Sequence, residues 1–319
     1  MDTKKKFKLF DMNRDGKGVD PGEDTNPNLK FFFKQFGRKF SKIISLNILM
    51  IFQIIPIIVS LYLYFFASPT TPTQYFPEYA ALYGIQDTAT NAVSSINLGL
   101  YSFQLGLPTY NTYIYWIIGA LAVFMLITYG WQKVGSIYVT RGLVRGDSVF
   151  VFSDYFYAIK KNLKQGFLLG LIDCIIMAVL AYDLIYFLNS PSSGFNNFMY
   201  VMTIALIILY VIFRFYTYLM LVTFNMKLGK IFKNALIFTV LGIKRNVLAL
   251  LGLLIVSAIA ILPIILLMPL GLGVAIVLPL IYYLGVCSFI YTYAAYPILD
   301  RYMIQPVPHV NSNNNDTDE

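Results

Sequence analysis

Six long apolar stretches dominate this 319-residue chain, and shorter polar segments separate them. Each stretch holds about 20 residues, the length that an α-helix needs to cross the hydrocarbon core of a bilayer. The pattern therefore predicts an all-α integral membrane protein with six transmembrane helices. These spans cover about 43–66, 113–131, 167–188, 198–222, 247–268 and 272–296.

Three shorter stretches, which precede the first, third and fifth spans, have the pattern of amphipathic helices. Before the fifth span, apolar residues recur at helical spacing on one face, and basic residues occupy the other. The apolar positions are Leu228, Ile231, Phe232, Ala235, Leu236 and Thr239. The opposite face holds Lys227, Lys230, Lys233 and Asn234. The N-terminal stretch has an apolar stripe at Leu29, Phe33, Phe36, Phe40 and Ile43.

The middle amphipathic stretch begins near Ser153 and Asp154, and either side chain could cap a helix there by accepting a hydrogen bond from a free backbone N–H. Basic helices of this kind fit the inner membrane surface, with apolar side chains in the acyl boundary and ammonium groups among anionic headgroups. Docking onto a cytoplasmic partner fits the same pattern. The sequence leaves both interpretations open.

Two of these regions also match each other in sequence. The stretch IKKNLKQGFLLGLI begins at Ile159, and IKRNVLALLGLLIV begins at Ile243. Each precedes a span that would leave the same side of the membrane. The match suggests a unit made of an interfacial helix and a helical hairpin, which would occur three times in parallel orientation. The other interpretation is a chance likeness, because any basic segment next to such a span looks similar.

The positive charges predict the orientation. Eleven lysines and arginines precede the first span, six lie between the second and third, and five lie between the fourth and fifth. Positively charged loops stay in the cytoplasm. The prediction is a multi-pass protein of the cell membrane with both termini in the cytoplasm. It comprises a polar leader (1–28), a six-span domain (29–303) with an outer loop (68–112), and a disordered tail (304–319).

Composition excludes several classes of function. Hydrophobic residues make up 58% of the chain and charged residues only 13%, whereas a soluble domain has about 25% charged residues. The net charge of +8 therefore indicates topology and contact with an anionic inner leaflet, and nucleic acid is not expected as a partner. The two cysteines, Cys174 and Cys287, lie in apolar stretches and form no disulfide framework or metal motif.

One segment of the leader resembles a calcium loop. Asp11, Asn13, Asp15 and Gly16 match the first half of an EF-hand loop, but the twelfth position is a glycine. We therefore predict no calcium site, and no metal or cofactor elsewhere. Enzymatic activity is not expected either, because the single histidine, His309, lies in the polar tail and no nucleotide-binding, HExxH or GxSxG motif is present.

Three charged residues lie inside predicted spans. Asp173 and Asp183 belong to the third span, and Arg214 belongs to the fourth. Each costs roughly 2.5–3.5 kcal/mol in a membrane unless it is paired or hydrated. Asp173 and Arg214 lie at nearly equal distances from Ser193, the centre of the connecting loop, so they reach similar depths in an antiparallel hairpin. We predict that these two residues pair.

Two other polar residues, Asn47 and Asp183, lie within the predicted membrane domain. Asn47 is a further polar residue within the first span. Asp183 lies nearer the outer surface than Asp173, which allows hydration and makes it the weaker partner for Arg214. Charges in the spans could line a transport path, but three are few for a proton or ion relay.

The stretches GVD…FFFKQFGRKFSKIISLNILMIFQIIP and YVTRGLVRGDSVFVFSDYFYAIKKNLKQGFLLGLID resemble the YesL-like family of bacterial membrane proteins, a domain family of unknown function. In the second cytoplasmic loop the matching positions are Arg145, Asp154, Asn162, Lys164 and Gln165. The resemblance implies a Gram-positive type of bacterial source. It also implies frequent association with carbohydrate uptake systems, especially ABC importers and two-component sensors, but no established activity.

The expected function follows from that resemblance and from the missing chemistry. We expect an accessory or regulatory membrane protein of carbohydrate uptake, with ABC importer permease subunits as its partners. An independent small-solute transporter or channel is the second interpretation. A membrane scaffold without a role in transport is the third.

Overall fold

The computed structural model describes residues 26–66, 112–267 and 274–305. Every regular element in these ranges is helical. The helices are α1 (Leu29–Ile51), α2 (Ile55–Phe66), α3 (Thr112–Arg145), α4 (Val151–Lys161), α5 (Leu163–Asn189), α6 (Gly194–Thr223), α7 (Leu228–Leu241), α8 (Ile243–Leu267) and α9 (Val274–Leu299), with a π-helical turn at Asp300–Ile304. The calcium-like segment, His309 and nearly all of the predicted outer loop and tail lie outside the described residues.

By length and composition, five of these helical segments could cross a membrane: α3, α5, α6, α8 and the segment Val277–Ile304. Helices α1 and α2 pass the same test together, although they are bent by 45° at their junction, so the total is up to six. Each of these elements overlaps one of the six predicted spans. The described part of the chain is therefore helical, with the apolar helices typical of a multi-pass membrane protein.

The bend between α1 and α2 has a local cause. Pro56 is the second residue of α2, and its nitrogen carries no hydrogen. It therefore cannot donate to the carbonyl of Phe52, four residues earlier, and its ring crowds that turn. The hydropathy pattern predicted one uninterrupted span here, whereas the backbone breaks into two helices.

Helix α3 continues 14 residues beyond the predicted end of the second span, to Arg145. The segment after 131 is less apolar but contains no proline, so the helical hydrogen bonding persists. It ends at Gly146, whose φ of +86° is a left-handed conformation that glycine adopts without strain. The N–H of Asp147 then donates to the carbonyl of Gly142 at 2.9 Å, and that of Gly146 donates to Leu143 at 3.3 Å. This is the glycine-terminated helix end known as a Schellman motif.

Helices α3 and α5 cross at a glycine contact. A Cβ atom added to Gly170 would lie 2.4 Å from the Cα of Gly130, and one added to Gly130 would lie 2.0 Å from the carbonyl oxygen of Gly166. Only glycine allows the two backbones to approach so closely. Small residues at positions four apart are a common device for helix packing in membranes.

The buried core lies towards the end of the bundle where α3 and α6 finish. Helix α6 is buried almost continuously from Phe215 to Val222. The ring of Phe215 stacks on that of Tyr291 in α9, with centroids 4.7 Å apart. In contrast, α2 packs mainly on α3 and α8 mainly on α9, and both expose large apolar side chains. Such surfaces are suited to lipid.

The two short helices, α4 and α7, occupy the positions of predicted amphipathic stretches. Helix α7 buries Ile231, Ala235, Phe238 and Thr239 against the bundle, whereas Leu236 is 65% exposed. The prediction placed Leu236 on the same face as Ala235. Because it follows Ala235 by one residue, its side chain points about 100° further around the helix. Phe238 takes the buried position instead.

Helix α4 is held to the end of α3 by its buried side. Tyr155 packs on Gly135 so closely that a Cβ there would lie 2.8 Å from the ring. Burial raises the pKa of the Tyr155 hydroxyl above its ordinary value. The prediction placed the helix start at Ser153 or Asp154, but α4 begins at Val151 and both residues lie within its first turn. From there the carboxylate of Asp154 accepts a hydrogen bond from the N–H of Phe150 at 2.8 Å.

The structure does not confirm the internal repeat. In the first copy the break between α4 and α5 falls at Asn162. The matching residue in the second copy, Asn246, lies inside α8, and the break falls at Gly242. The glycines that hold α5 against α3, Gly166 and Gly170, correspond to leucines in α8. The two copies therefore differ in both helix boundary and packing.

Candidate functional site

A group of charged and tyrosine side chains lies between α3, α5 and α6, and we call it the charge cluster. Its members are Tyr129, Asp173, Tyr210, Arg214 and Tyr218. Asp173 is only 1% exposed. The Nε of Arg214 lies 2.8 Å from one of its carboxylate oxygens and 3.0 Å from the other. The structure thus brings together the two residues that the depth argument paired.

Two tyrosines complete the surroundings of the carboxylate. The hydroxyl of Tyr210 donates to Oδ1 of Asp173 at 2.9 Å, and that of Tyr218 donates to Oδ2 at 2.9 Å. Tyr210, Arg214 and Tyr218 are spaced four residues apart, so they share one face of α6. Hydrogen bonds to a charged acceptor are stronger than those between neutral groups. Asp173 therefore joins α5 to α6 through three side chains.

Arg214 also connects α6 to α3. Its Nη2 donates to the hydroxyl of Tyr129, and its Nη1 faces the sulfur of Met177 at 3.8 Å. Tyr129 precedes the crossing glycine Gly130, while Asp173 follows Gly170 by one helical turn. The close crossing of α3 and α5 consequently sets the spacing of the charge cluster.

Lys133 lies next to the charge cluster and was missed by sequence reasoning, because the predicted second span ended at Trp131. It is half-buried on α3, one turn after Tyr129, with its Nζ 5.7 Å from the centre of the Tyr129 ring. The charged groups of Arg214 on α6 and Asp173 on α5 lie close enough to act on it electrostatically. Among the described residues it has no hydrogen-bond acceptor or ion-pair partner. The spacing of four residues between Tyr129 and Lys133, which puts both on one face of a helix, could have indicated that Lys133 belongs to the same span.

The other predicted intramembrane residues lie apart from this cluster. Asn47 is fully buried and joins α1 to α9, where it donates to the carbonyl of Leu280 at 2.5 Å and accepts from the N–H of Gly285 at 2.9 Å. Asp183 is half-buried on α5 and has no hydrogen bond or ion pair within the described ranges. Asn47 is thus a link between helices, and Asp183 has no partner that would fix it.

The loop residues of the family resemblance make local contacts and do not converge on one site. Arg145 and Asp147 form an exposed pair at 3.5 Å, Asp154 bonds the start of α4, and Asn162 donates to the carbonyl of Ala158 at 3.0 Å. Gln165 donates to the carbonyl of Met226 at 3.4 Å, and Lys164 is exposed. These residues shape the connection from α3 to α5.

Polar side chains from neighbouring helices satisfy carbonyls at the helix ends near these loops. Gln35 donates to the carbonyls of Leu143 and Val144 at 2.9 and 2.8 Å, at the end of α3. Arg141 donates to the carbonyl of Val222 at 2.8 Å, at the end of α6. The last carbonyls of a helix lack partners within the helix and carry partial negative charge. These contacts fix the last turns of α3 and α6.

No group of three or more histidine, cysteine, aspartate or glutamate side chains that could hold a metal occurs in the part of the chain that the structure describes. Cys174 and Cys287 are unpaired and half-buried. The charge cluster is a candidate for binding or for helix association.

Residues 111–184 match the sequence model of a family described as "Protein of unknown function, DUF624". The matched region contains Lys133, Asp173, the crossing glycines and the loop residues from Arg145 to Gln165, but not Arg214. No curated protein and no solved structure gives a significant match to the chain. Over its α3–α5 region the chain is therefore similar to a family without an assigned function, which is compatible with the YesL-like resemblance.

Proposed function

We propose that this chain is an accessory or regulatory membrane protein of carbohydrate uptake, which binds the permease subunits of an ABC importer and performs no chemistry itself. The observation that supports this role is the way the buried charges are used. Both oxygens of Asp173 are held by side chains of the bundle, and Arg214 spans three helices. Groups used in this way stabilise the helix bundle. The link to carbohydrate uptake rests on the YesL-like resemblance.

The partner surface that we propose is the exposed side of α4. Its aromatic residues are Phe150 (73% exposed), Phe152 (67%), Phe156 (41%) and Tyr157 (51%). Lys160 and Lys161 follow in the last turn. Aromatic residues are enriched at protein interfaces, and an apolar patch rimmed by charge is typical of a docking surface. The α4 surface adjoins the basic loops that the charge distribution assigns to the cytoplasm.

Affinity purification of the tagged chain from its own cells in mild detergent tests the proposal. We expect stoichiometric recovery of a permease pair and a marked loss of that recovery with Phe152→Ala. Phe195→Ala is the matched control, because Phe195 is equally exposed, at 66%, at the opposite end of α6. Failure to recover permease with the wild type would contradict the accessory role. Undiminished recovery with Phe152→Ala would contradict the docking surface on α4 and would favour the interpretation that α4 lies on the inner leaflet.

An independent small-solute transporter is the second candidate. The observation that favours it is Lys133, a cation that lacks an acceptor among the described residues although it lies between helices. A solute with negative charge could bind there. Uptake by the purified chain alone separates this candidate from the accessory role.

We further propose a cell-membrane location with both termini in the cytoplasm. In this orientation the turn between α3 and α4 and the helices α4 and α7 lie at the cytoplasmic surface, and the turn between α5 and α6 faces outwards. The support is the distribution of lysine and arginine, which are absent from 189–197 but frequent in the segments on either side of α4 and α7.

Thiol labelling checks this orientation. In a background where Cys174 and Cys287 are replaced by serine, single cysteines are introduced at Ser148 and Ser192, both exposed. A membrane-impermeant maleimide should label Ser192→Cys in intact cells and Ser148→Cys only after permeabilisation. The reverse pattern would contradict the orientation, and labelling of both from outside would contradict the number of spans between them.

A further inference from the structure

We propose that Lys133 and Arg214 form a binding site for a phosphate-type oxyanion within the helical bundle. The site lies beside the charge cluster, where α3, α5, α6 and α9 meet. The proposal goes beyond the accessory role, because it concerns a ligand of the membrane domain and does not depend on a protein partner.

Positive charge exceeds negative charge around Lys133 and Arg214. Lys133 and Arg214 are two cations, and Asp173 is the anion that interacts electrostatically with both. Asp173 is already engaged by Arg214 at 2.8 Å. Asp183, the next carboxylate along α5, makes no ion pair in the described residues. When Lys133 is protonated it therefore has no carboxylate of its own in the described residues, and a charge without a partner is costly in a helix of membrane-spanning length.

The two cations also have a surplus of hydrogen-bond donors. A guanidinium has five N–H groups and an ammonium has three. Arg214 directs Nε to Asp173 and Nη2 to Tyr129, while Nη1 faces only the thioether of Met177, which is a weak acceptor. Lys133 donates to no acceptor in the described part of the chain. Both cations lie near the ring of Tyr129, with the Nζ of Lys133 and the Cζ of Arg214 at 5.7 and 6.0 Å from its centre.

Arginine and lysine side chains together suit a phosphate-type ligand. Arginine presents a planar edge that suits the oxygens of phosphate, and lysine binds phosphate as a point charge. A tetrahedral oxyanion supplies both the missing negative charge and several acceptors. Such a group exists both in phospholipid headgroups and as a free ion, and the two sources are separable by experiment.

Thermal unfolding of the purified full chain in a neutral detergent tests the proposal. Inorganic phosphate and phosphatidylglycerol are titrated separately, with sodium chloride at equal ionic strength as the reference. We expect at least one of the two to raise the Tm saturably by a few degrees. The response should be lost in Lys133→Met and kept in Lys133→Arg. It should also be kept in Lys164→Gln, the matched control, because Lys164 is an exposed lysine on α5.

The direction of the basal effect provides a second criterion. Without added anion, Lys133→Met should be at least as stable as the wild type, because the substitution removes an unpaired charge and keeps the length of the side chain. A response to phosphate identifies a free ion as the ligand, and a response to phosphatidylglycerol alone identifies a headgroup. The proposal is overturned if neither stabilises the wild type beyond chloride, if Lys133→Met still responds, or if Lys133→Met is less stable or cannot be recovered folded.

Discussion

Replacing Asp173 by alanine should lower the stability of the folded chain by about 3–5 kcal/mol, because it leaves the buried guanidinium of Arg214 without its counter-charge. Two tyrosine hydroxyls, those of Tyr210 and Tyr218, lose their acceptor at the same time. Unfolding in mixed micelles with increasing dodecyl sulfate measures the effect. Asp183→Ala is the matched control, since Asp183 lies on the same helix without a described partner, and it should change stability by less than about 0.5 kcal/mol.

A double-mutant cycle then separates the pair from its surroundings. Asp173→Asn alone and Arg214→Gln alone each leave a buried charged group without its partner, whereas the double variant removes both charges. We expect the double variant to recover part of the summed loss, with a coupling energy within the range of about 0.5–3 kcal/mol found for residues in contact. Purely additive losses, or an equal loss in Asp183→Ala, would show that the ion pair does not hold α5 to α6.

Replacing Gly170 by leucine should prevent recovery of a folded chain, and Gly170→Ala should destabilise it by about 1–3 kcal/mol, as overpacking does elsewhere. The reason is that the new Cβ would meet backbone, at 2.4 Å from the Cα of Gly130, and backbone cannot move aside without separating the helices. The crossing also sets the distance between Tyr129 on α3 and the other members of the charge cluster. Gly170→Ala should therefore weaken the contact of Tyr129 with Arg214. The yield of monodisperse protein and the unfolding midpoint measure these effects.

Gly119 provides the matched control for this substitution. It lies on α3, as Gly130 does, but a Cβ added there would meet nothing within 4 Å. Gly119→Ala should therefore leave the chain as stable as before or make it more stable, by up to about 1 kcal/mol, because alanine favours a helix more than glycine. Equal behaviour of Gly119→Ala and Gly170→Ala would contradict the close crossing.

Some of this architecture was accessible from the sequence because it depends on local regularities. The length of apolar stretches predicted the spans, since the bilayer imposes that length on any helix that crosses it. The constant rise of a helix placed Asp173 and Arg214 at similar depth. That argument could not give the rotation of either helix, and so could not bring the two side chains into contact.

Other features depend on contacts that a linear pattern does not encode. Tyr210 and Tyr218 were not among the predicted site residues, although their spacing of four residues on either side of Arg214 places all three on one face of α6. The crossing glycines acquire meaning only once α3 and α5 are known to be neighbours. Lys133 was left out of the second span because the hydropathy pattern marks only the end of the apolar stretch. The helix itself continues to Arg145. Leu236 was wrongly assigned to the buried face of α7, because the helices that pack against α7 decide where that face ends.

The central claim is that the interior charges hold the bundle together and that the chain alone moves no solute. Uptake into liposomes containing the purified chain, with a panel of radiolabelled mono- and disaccharides and with radiolabelled phosphate, tests it most directly. The account predicts uptake no faster than in protein-free liposomes of the same lipids. Saturable uptake that is lost in Asp173→Asn but retained in Asp183→Asn would contradict it and would assign the charge cluster to a transport path.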